Sequence, residues 1–230
     1  MFRNLKETID LIASIPVSPE RKEILQPLAE FIQKKADVGE RINLNFICTH
    51  NSRRSHLSQI WAQVMADYFN IRNVYCYSGG TEATAMFPKV AETLQKQGFH
   101  IQKLSDNGNP VYAVKYAENA HPVICFSKKF DDAFNPGSGF AAVMTCSNAD
   151  EGCPFIAGAE KRVAVKFEDP KSSDGTQEMN RVYFERSLEI AAEMYEVMRS
   201  VTETLKNSRK CLQTTAHRTR ERNFLSSTET

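Results

Sequence analysis

Eight consecutive residues, Cys48 to Ser55, form the segment best suited to covalent chemistry, with the sequence CTHNSRRS. They follow an apolar run at residues 42–47 and precede a helix-like segment at residues 55–69, which predicts a strand, a tight loop and a helix. A cysteine at the start of such a loop lies among backbone N–H groups near the positive end of the helix dipole, which favours the nucleophilic thiolate. Arg54 can fold back and hold a tetrahedral oxyanion through two parallel hydrogen bonds.

The other side chains of this segment support an oxyanion-binding loop. Asn51 and Ser52 can fasten a strained loop by local hydrogen bonds. The alternative interpretation is a buried cysteine at a strand end beside a surface pair of arginines. The order of strand, loop and helix favours the functional interpretation, in which the remaining loop members are Thr49, His50 and Arg53.

Two further motifs carry groups that fit such a loop. Cys146 and Cys153 flank a polar segment that can be helical or looped, and they are either a pair or two unrelated buried thiols. A zinc site needs two more ligands, and no neighbouring Cys-x-x-Cys or histidine supplies them, so we expect no metal. Asp169 follows the end of a predicted strand, and Pro170 fixes the turn there. A carboxylic acid there could protonate a departing oxygen, although an Asp-Pro pair alone is usually only a turn.

The elements that must position these residues alternate along the chain. The predicted strands are residues 42–48, 74–78, 141–146 and 162–167. The predicted helices of this core are residues 55–69, 88–98 and 178–205. Strands that alternate with helices indicate an α/β fold with a doubly wound, mostly parallel four-stranded sheet. Ligands of such sheets bind beyond the carboxyl ends of the strands, where Cys48 lies.

Three segments surround this core. Residues 1–40 show apolar positions at helical spacing on both sides of a proline-containing break, which predicts an extension of two helices packed on the core. Residues 107–139 contain two β-rich runs, at 111–116 and 122–127, and we expect a β-hairpin insertion. Residues 206–230 are polar and basic, which predicts a mobile tail after a domain that spans residues 41–205.

Composition restricts the partners and the compartment. The chain has 230 residues, and its 29 lysines and arginines nearly balance its 28 acidic residues. General nucleic-acid binding and attraction to a membrane surface are therefore not expected. The six cysteines are too few and too unevenly spaced for a secreted disulfide framework, and the N-terminus lacks a signal-peptide pattern. We expect a cytoplasmic protein in which Cys76 and Cys125 pack in the core.

Over residues 42–200 the chain resembles the low-molecular-weight tyrosine phosphatases and the thioredoxin-coupled arsenate reductases that share their fold. The resemblance implies that Cys48 is the nucleophile, Arg54 the oxyanion clamp and Asp169 the general acid. It also implies that the Ser55 hydroxyl stabilises the thiolate. The segment YSGGTE at residues 77–82, with a Pro-Lys pair at 88–89, is similar to the one that follows the second strand of the family.

Cys146 and Cys153 favour the reductase branch, because the segment CSNADEGCP is similar to the redox shuttle of the reductases. The resemblance implies that Cys48 attacks arsenate, that Cys146 then attacks Cys48 and releases arsenite, and that Cys153 attacks Cys146. Thioredoxin would reduce the resulting disulfide. The same first step on a phosphotyrosine ester would give a tyrosine phosphatase, which is the alternative function. A non-catalytic redox sensor is a third hypothesis, and the complete set of nucleophile, clamp and acid argues against it.

The chain departs from the family pattern at two positions of the site. His50 stands where the reductases usually have glycine, so we expect a side chain near the anion and altered backbone angles there. Gln59 lies where some reductases carry a glutamate of a potassium site, which argues against potassium dependence. The substrate is therefore expected to be arsenate or a phosphate ester, with no bound cofactor.

Overall fold

The computed structural model describes the backbone of residues 1–226 and the side chains of residues 1–205. A short 3-10 helix, Pro170–Ser173, precedes the last helix. In chain order the elements are α1 (Arg3–Ala13), α2 (Pro19–Asp37), β1 (Ile42–Cys48), α3 (Arg54–Tyr68), β2 (Val74–Gly80), α4 (Pro88–Lys96), β3 (His100–Lys103), β4 (Tyr112–Lys115), β5 (Val123–Cys125), β6 (Phe140–Met144), α5 (Ser147–Gly152), β7 (Ala159–Ala164) and α6 (Met179–Ser226).

The central sheet has four parallel strands in the order β2-β1-β6-β7, which confirms the predicted α/β fold. All seven residues of β1 are buried, as expected for an inner strand covered by helices on both faces. The register places Cys48 opposite Gly80 of β2, and Ile47 opposite Met144 of β6. The carboxyl ends of three strands therefore meet around Cys48, which is the edge where such sheets bind ligands.

A second, antiparallel sheet has the strand order β3-β4-β5. β4 and β5 form the hairpin predicted within residues 107–139. β3 is absent from the sequence prediction because its four residues, HIQK, are partly or largely exposed and show no alternation of apolar and polar side chains. Pairing with β4, rather than a local pattern, makes it a strand. The insertion is thus part of a three-stranded sheet that starts before residue 107.

The two helices predicted for residues 1–40 are α1 and α2. α1 buries Leu5 and Ile9 on one face, and both belong to the main hydrophobic core. The Ser18 hydroxyl oxygen accepts a hydrogen bond from the Arg21 N–H, and Pro19 occupies the first turn, where it removes no helical hydrogen bond. Most of α3 is buried between the sheet and the last helix, and Trp61 is completely buried.

Two elements have a boundary that differs from the sequence prediction by more than two residues. The last strand, β7, spans residues 159–164 instead of 162–167, because it is an edge strand whose polar Glu160 and Lys161 are exposed and conceal the pattern. Helix α6 continues to Ser226, through much of the segment predicted to be a mobile tail. The rest of that prediction, residues 227–230, lies outside the described residues. Among the described helices, none is both long and apolar enough to cross a membrane.

Candidate active site

The loop from Thr49 to Arg53 joins β1 to α3, as the sequence predicts. Backbone carbonyl oxygens of the loop and of Cys48 before it accept hydrogen bonds from residues outside the loop. The Cys48 oxygen accepts from the Thr81 N–H at 3.1 Å, and the Thr49 oxygen accepts from the Glu82 N–H at 2.8 Å. The Ser52 oxygen accepts from the Phe87 N–H at 3.0 Å. In a trans peptide the N–H points away from the preceding carbonyl. The N–H groups that follow these carbonyls therefore point to the other side of the loop, which is the arrangement of an anion-binding nest.

Gly80, at the end of β2, lets the loop lie directly on the sheet. A Cβ atom built on Gly80 would lie 2.7 Å from the Asn51 nitrogen and 2.7 Å from the Thr49 oxygen, both far inside van der Waals contact. The Gly80 N–H also donates to the Lys128 oxygen, which holds the 126–130 segment against the same strand end. Gly80 is thus a steric requirement of the loop, which the sequence indicated only through the resemblance.

Asn51 organises the inside of the loop. It is fully buried and adopts a left-handed backbone conformation, with φ of +45°, which asparagine tolerates better than most residues. Its Nδ2 donates to the Ser55 Oγ at 2.8 Å, and its Oδ1 accepts from the Lys128 N–H at 2.9 Å. Because Ser55 Oγ accepts this bond, its own proton is free to point toward the Cys48 Sγ, 3.1 Å away. The expectation that Asn51 fastens the loop is confirmed.

Arg54 and Asp169 are brought together, although 115 positions separate them in the chain. One Arg54 amine donates to the Asp169 carboxylate at 2.5 Å, and another donates to the Phe167 carbonyl at 2.9 Å. Asp169 also caps the 3-10 helix by accepting from the Lys171 N–H at 3.0 Å. The turn predicted from Asp-Pro therefore exists, and it holds the carboxylate beside the guanidinium at the start of α3.

Two loop side chains, those of His50 and Arg53, have neighbours outside the loop. His50 is half exposed, its Nε2 lies 3.7 Å from a Glu82 carboxylate oxygen, and its φ is not in the left-handed region. The positive φ of the loop falls on Asn51, so His50 needs no glycine-like backbone angle, and its position near a bound anion stays a prediction. Arg53 donates to the Tyr183 hydroxyl and to Asp174, both at 2.5 Å, and anchors the loop to the last helix.

Cys146 lies against the loop, next to the nucleophile candidate. It follows β6, and the adjacent Thr145 donates its N–H to the Ile47 oxygen at 2.7 Å, which continues the parallel pairing with β1. The Cys146 Sγ is 3.5 Å from the Thr49 Oγ1. Both Cys48 and Cys146 are buried in one small hydrophobic cluster, and Cys153 packs on its border with partial exposure. The structure thus gathers all three cysteines of the predicted site.

Helix α5 separates Cys146 from Cys153. The Cys146 Sγ accepts from the Ala149 N–H at 3.4 Å, so the thiol caps the start of the helix. Cys153 caps its end and donates its N–H to the Ala149 oxygen. At a rise of about 1.5 Å per residue, the two cysteines are about 10 Å apart along the axis. A disulfide needs Cα atoms about 4.4–6.8 Å apart, so the pair can bond only after α5 unwinds.

Behind the loop lies a group of buried polar side chains that the sequence did not reveal as part of the site. His56 is fully buried, its Nδ1 is 3.2 Å from the Ser78 Oγ, and burial lowers its pKa to about 3. Lys128 is also buried, and burial lowers its pKa to about 8, while its Nζ lies 4.4 Å from the centre of the Phe126 ring. A neutral imidazole and a desolvated amine therefore back the loop.

The two remaining cysteines with described side chains are core residues, as predicted. Burial raises the pKa of Cys125 to about 12 and raises that of Cys76 further, so both thiols are protonated and unreactive at neutral pH. Gln59 lies between these segments, and its amide donates to the carbonyls of Cys76 and Ile124. Across the described part of the chain, no group of three or more His, Cys, Asp or Glu side chains is arranged to hold a metal ion.

Comparisons with known proteins agree with this geometry. No protein-family model matches the chain. An arsenate reductase of Bacillus licheniformis is 27% identical over 142 residues, covering 61% of this chain and 83% of the relative. An arsenate reductase of Staphylococcus aureus is 29% identical over 126 residues, covering 54% and 76%.

The crystal structure of a low-molecular-weight phosphotyrosine phosphatase from Vibrio cholerae O395 superposes with a TM-score of 0.50 and 14% identity, over 71% of this chain and 98% of that one. At that identity the superposition shows a shared fold. The chain is therefore a homologue of the bacterial arsenate reductases that has the fold of the low-molecular-weight phosphotyrosine phosphatases.

Proposed function

We propose that this protein reduces arsenate to arsenite through Cys48, Cys146 and Cys153, and that thioredoxin regenerates it. The observation that carries the proposal is the position of Cys146, whose thiol is buried 3.5 Å from Thr49 of the oxyanion loop. A hydrolytic enzyme needs no second thiol at this place. The sequence relationship to arsenate reductases of Bacillus and Staphylococcus supports the same assignment.

In the first step the oxyanion occupies the nest formed by loop residues 49–53, and the Cys48 thiolate attacks arsenic. A bond forms between Sγ and arsenic, and an arsenic–oxygen bond breaks. The departing group is a hydroxyl of the arsenate, which takes one proton and leaves as water. The Ser55 hydroxyl proton, directed toward Sγ by Asn51, stabilises the thiolate before the attack.

Arg54 and Asp169 have complementary parts in this step. The guanidinium now binds Asp169, and an arriving oxyanion would compete for the same hydrogen-bond donors. As the anion binds, Arg54 stabilises the charge that develops on its oxygens, and a protonated Asp169 supplies the proton to the leaving oxygen. The pairing seen in the free protein keeps both side chains at the start of α3, where they are needed.

The second and third steps are thiol-disulfide chemistry. The Cys146 thiolate attacks the Cys48 Sγ, the sulfur–arsenic bond breaks, and its electron pair leaves with arsenic, which is reduced from As(V) to As(III) and departs as arsenite. The Cys153 thiolate then attacks the Cys146 Sγ, so that the Cys48–Cys146 disulfide breaks and Cys48 leaves as a thiolate. This last exchange transfers no net electrons, and it moves the disulfide to the partly exposed Cys153.

Thioredoxin would return the pair to the dithiol state by supplying two electrons and two protons. Cys153 is the accessible member, and Phe155 beside it is 80% exposed, the largest exposure among the exposed large hydrophobic side chains of the described residues. An exposed phenylalanine next to an exchanging disulfide offers an apolar contact to a partner that must bring its own thiol to Cys153.

Phosphotyrosine hydrolysis is the second candidate function. The fold shared with the phosphotyrosine phosphatase of Vibrio cholerae favours it, and so does the chemistry of the loop, because phosphate and arsenate are both tetrahedral oxyanions. Hydrolysis would use Cys48, Arg54, Ser55 and Asp169 through a cysteinyl-phosphate and would leave Cys146 and Cys153 without a role.

A paired assay separates the two functions. Arsenate-dependent NADPH oxidation is followed with thioredoxin and thioredoxin reductase, and hydrolysis of an aryl phosphate is followed on the same preparations. We expect that Cys153→Ser abolishes repeated arsenate turnover and leaves aryl phosphate hydrolysis unchanged, whereas Cys48→Ser abolishes both. Cys211→Ser, which removes the cysteine in the segment of residues 206–230, is the matched control. Arsenate turnover by Cys153→Ser at the wild-type rate would show that the three-cysteine relay is wrong.

A further inference from the structure

Three charged side chains hold helix α5 to the last strand of the central sheet. The Arg162 guanidinium donates to three acceptors of the helix region: the Asp150 carbonyl, the Asp150 carboxylate and, at 3.2 Å, the Cys153 carbonyl. Lys166 adds an ion pair with the second Asp150 oxygen at 2.8 Å. We refer to Arg162, Asp150 and Lys166 as the α5 latch.

The central ion pair of the latch, between Asp150 and Arg162, is partly shielded from water. The Asp150 side chain is 16% exposed and that of Arg162 is 29% exposed, so the pair is less screened than a solvent-exposed one. Burial alone would raise the pKa of Asp150, but the hydrogen bond from Lys166 and the charge of Arg162 hold it below its usual value. The carboxylate is therefore charged when the helix is in place.

The latch contacts the part of α5 that must move during the proposed relay. Cys146 and Cys153 lie about 10 Å apart along α5, and a bond between them requires the helix to unwind. Unwinding moves the Cys153 and Asp150 carbonyls, which are two of the three acceptors of Arg162. The latch can therefore form fully only in the dithiol state.

We propose that Arg162 is a positioning residue that sets the redox equilibrium of the Cys146–Cys153 pair through the α5 latch. This inference rests on the proposed function. By stabilising the dithiol state, the latch weakens the Cys146–Cys153 disulfide. It thereby favours reduction of the Cys146–Cys153 disulfide by an external dithiol. In that exchange the external dithiol is oxidised to a disulfide, and Cys146 and Cys153 take up two electrons and two protons.

A redox titration measures this effect without arsenate and without a protein reductant. The full chain with Cys48→Ser, which removes the competing thiol, is equilibrated in mixtures of reduced and oxidised dithiothreitol and then alkylated. Trypsin releases residues 130–161 as one peptide that contains Cys146 and Cys153 and no other cysteine, so mass spectrometry gives the fraction of the pair that is oxidised.

We expect Arg162→Met to shift the equilibrium constant at least tenfold toward the disulfide, which is about 30 mV for this two-electron couple. Asp150→Asn keeps both carbonyl acceptors and loses the ion pairs, so its shift should be smaller and in the same direction. It also serves as the second variant if Arg162→Met does not fold. Lys161→Met, at the exposed position before Arg162 in the same strand, is the matched control and should not shift the equilibrium.

The thermal unfolding of both redox states separates positioning from a general structural role. Arg162→Met should lower the melting temperature of the dithiol form and leave that of the disulfide form unchanged. An equilibrium constant within twofold of the control, or an equal loss of melting temperature in both states, overturns the proposal. Because no arsenate is present, this result is independent of whether arsenate is the substrate.

Discussion

The buried side chain of Asn51 gives the sharpest quantitative prediction for the loop. Replacing Asn51 with alanine removes the donor to the Ser55 Oγ and leaves the buried Lys128 N–H without its acceptor. A buried donor without a partner costs about 1–3 kcal/mol. Alanine at φ of +45° costs about 1 kcal/mol more, because its Cβ crowds the carbonyl oxygen in a left-handed conformation.

The expected loss in the free energy of unfolding for Asn51→Ala is therefore about 3 kcal/mol, the sum of the orphaned donor and the backbone strain. Asn51→Gly should lose about 1 kcal/mol less, because glycine adopts positive φ without strain. Urea denaturation followed by circular dichroism measures both values. Aryl phosphate hydrolysis should fall at least about tenfold in both variants, because the Ser55 proton is then no longer directed toward Cys48, and a loss of about 1.4 kcal/mol of transition-state stabilisation has that size.

Asn70 provides the matched control. It has φ of +56° at the end of α3, but its side chain is exposed. Asn70→Ala should cost only the backbone term, about 1 kcal/mol, and leave hydrolysis unchanged. If Asn51→Ala is no more destabilising than Asn70→Ala, the two side-chain hydrogen bonds do not support the loop, and the argument that links Asn51 to Cys48 is wrong.

Three further predictions follow from burial and steric fit. Gly80→Ala should abolish aryl phosphate hydrolysis and lower the free energy of unfolding by about 1–3 kcal/mol, as measured by urea denaturation, because its Cβ overlaps the loop backbone. Between pH 6.5 and 3, His56 binds a proton in the unfolded state but not in the folded state. The free energy of unfolding should therefore fall by about 1.4 kcal/mol for each unit by which the pH is lowered in this range. His56→Gln should remove this part of the pH dependence, as measured by urea titrations. Iodoacetamide at pH 7 should modify Cys153 and leave Cys76 and Cys125 unmodified until the protein unfolds, as read by peptide mass spectrometry.

Each of these has a result that contradicts it. Gly79→Ala is not a neutral comparison for Gly80, because its Cβ would overlap the Phe130 backbone, so the reference is Gly108→Ala, where the added atom meets open space. Equal activity of the Gly80 and Gly108 variants would refute the steric argument. An unchanged pH slope for His56→Gln, or alkylation of Cys125 in the native state, would show that these side chains are more accessible to water than the structure indicates.

The sequence alone was sufficient for the features that are encoded locally. An apolar strand, a polar loop and a helix in succession identified the position of Cys48, and the alternation of strands and helices identified the parallel sheet. Both inferences use neighbouring residues, whose periodicity and turn chemistry survive without knowledge of the rest of the chain. The short exposed strand at residues 100–103 and the edge strand at 159–164 were missed or misplaced because pairing partners, rather than local pattern, define them.

The distribution of the side chains within the site depends on contacts between distant parts of the chain. Packing places the His50 Nε2 3.7 Å from a Glu82 carboxylate oxygen and pairs Arg53 with Tyr183 and Asp174, although His50 and Arg53 both lie in the loop. It also brought Asp169 to Arg54 across 115 positions.

The same holds for the contacts between distant parts of the chain. Cys146 meets the loop because β6 pairs with β1, and Arg162 meets α5 because β7 pairs with β6. The sequence determined which reactive groups the protein has. The packing of strands that are distant in the chain determined which of these reactive groups touch. Hydrogen bonds and van der Waals contacts act over a few ångströms, whatever the separation of the residues in the sequence.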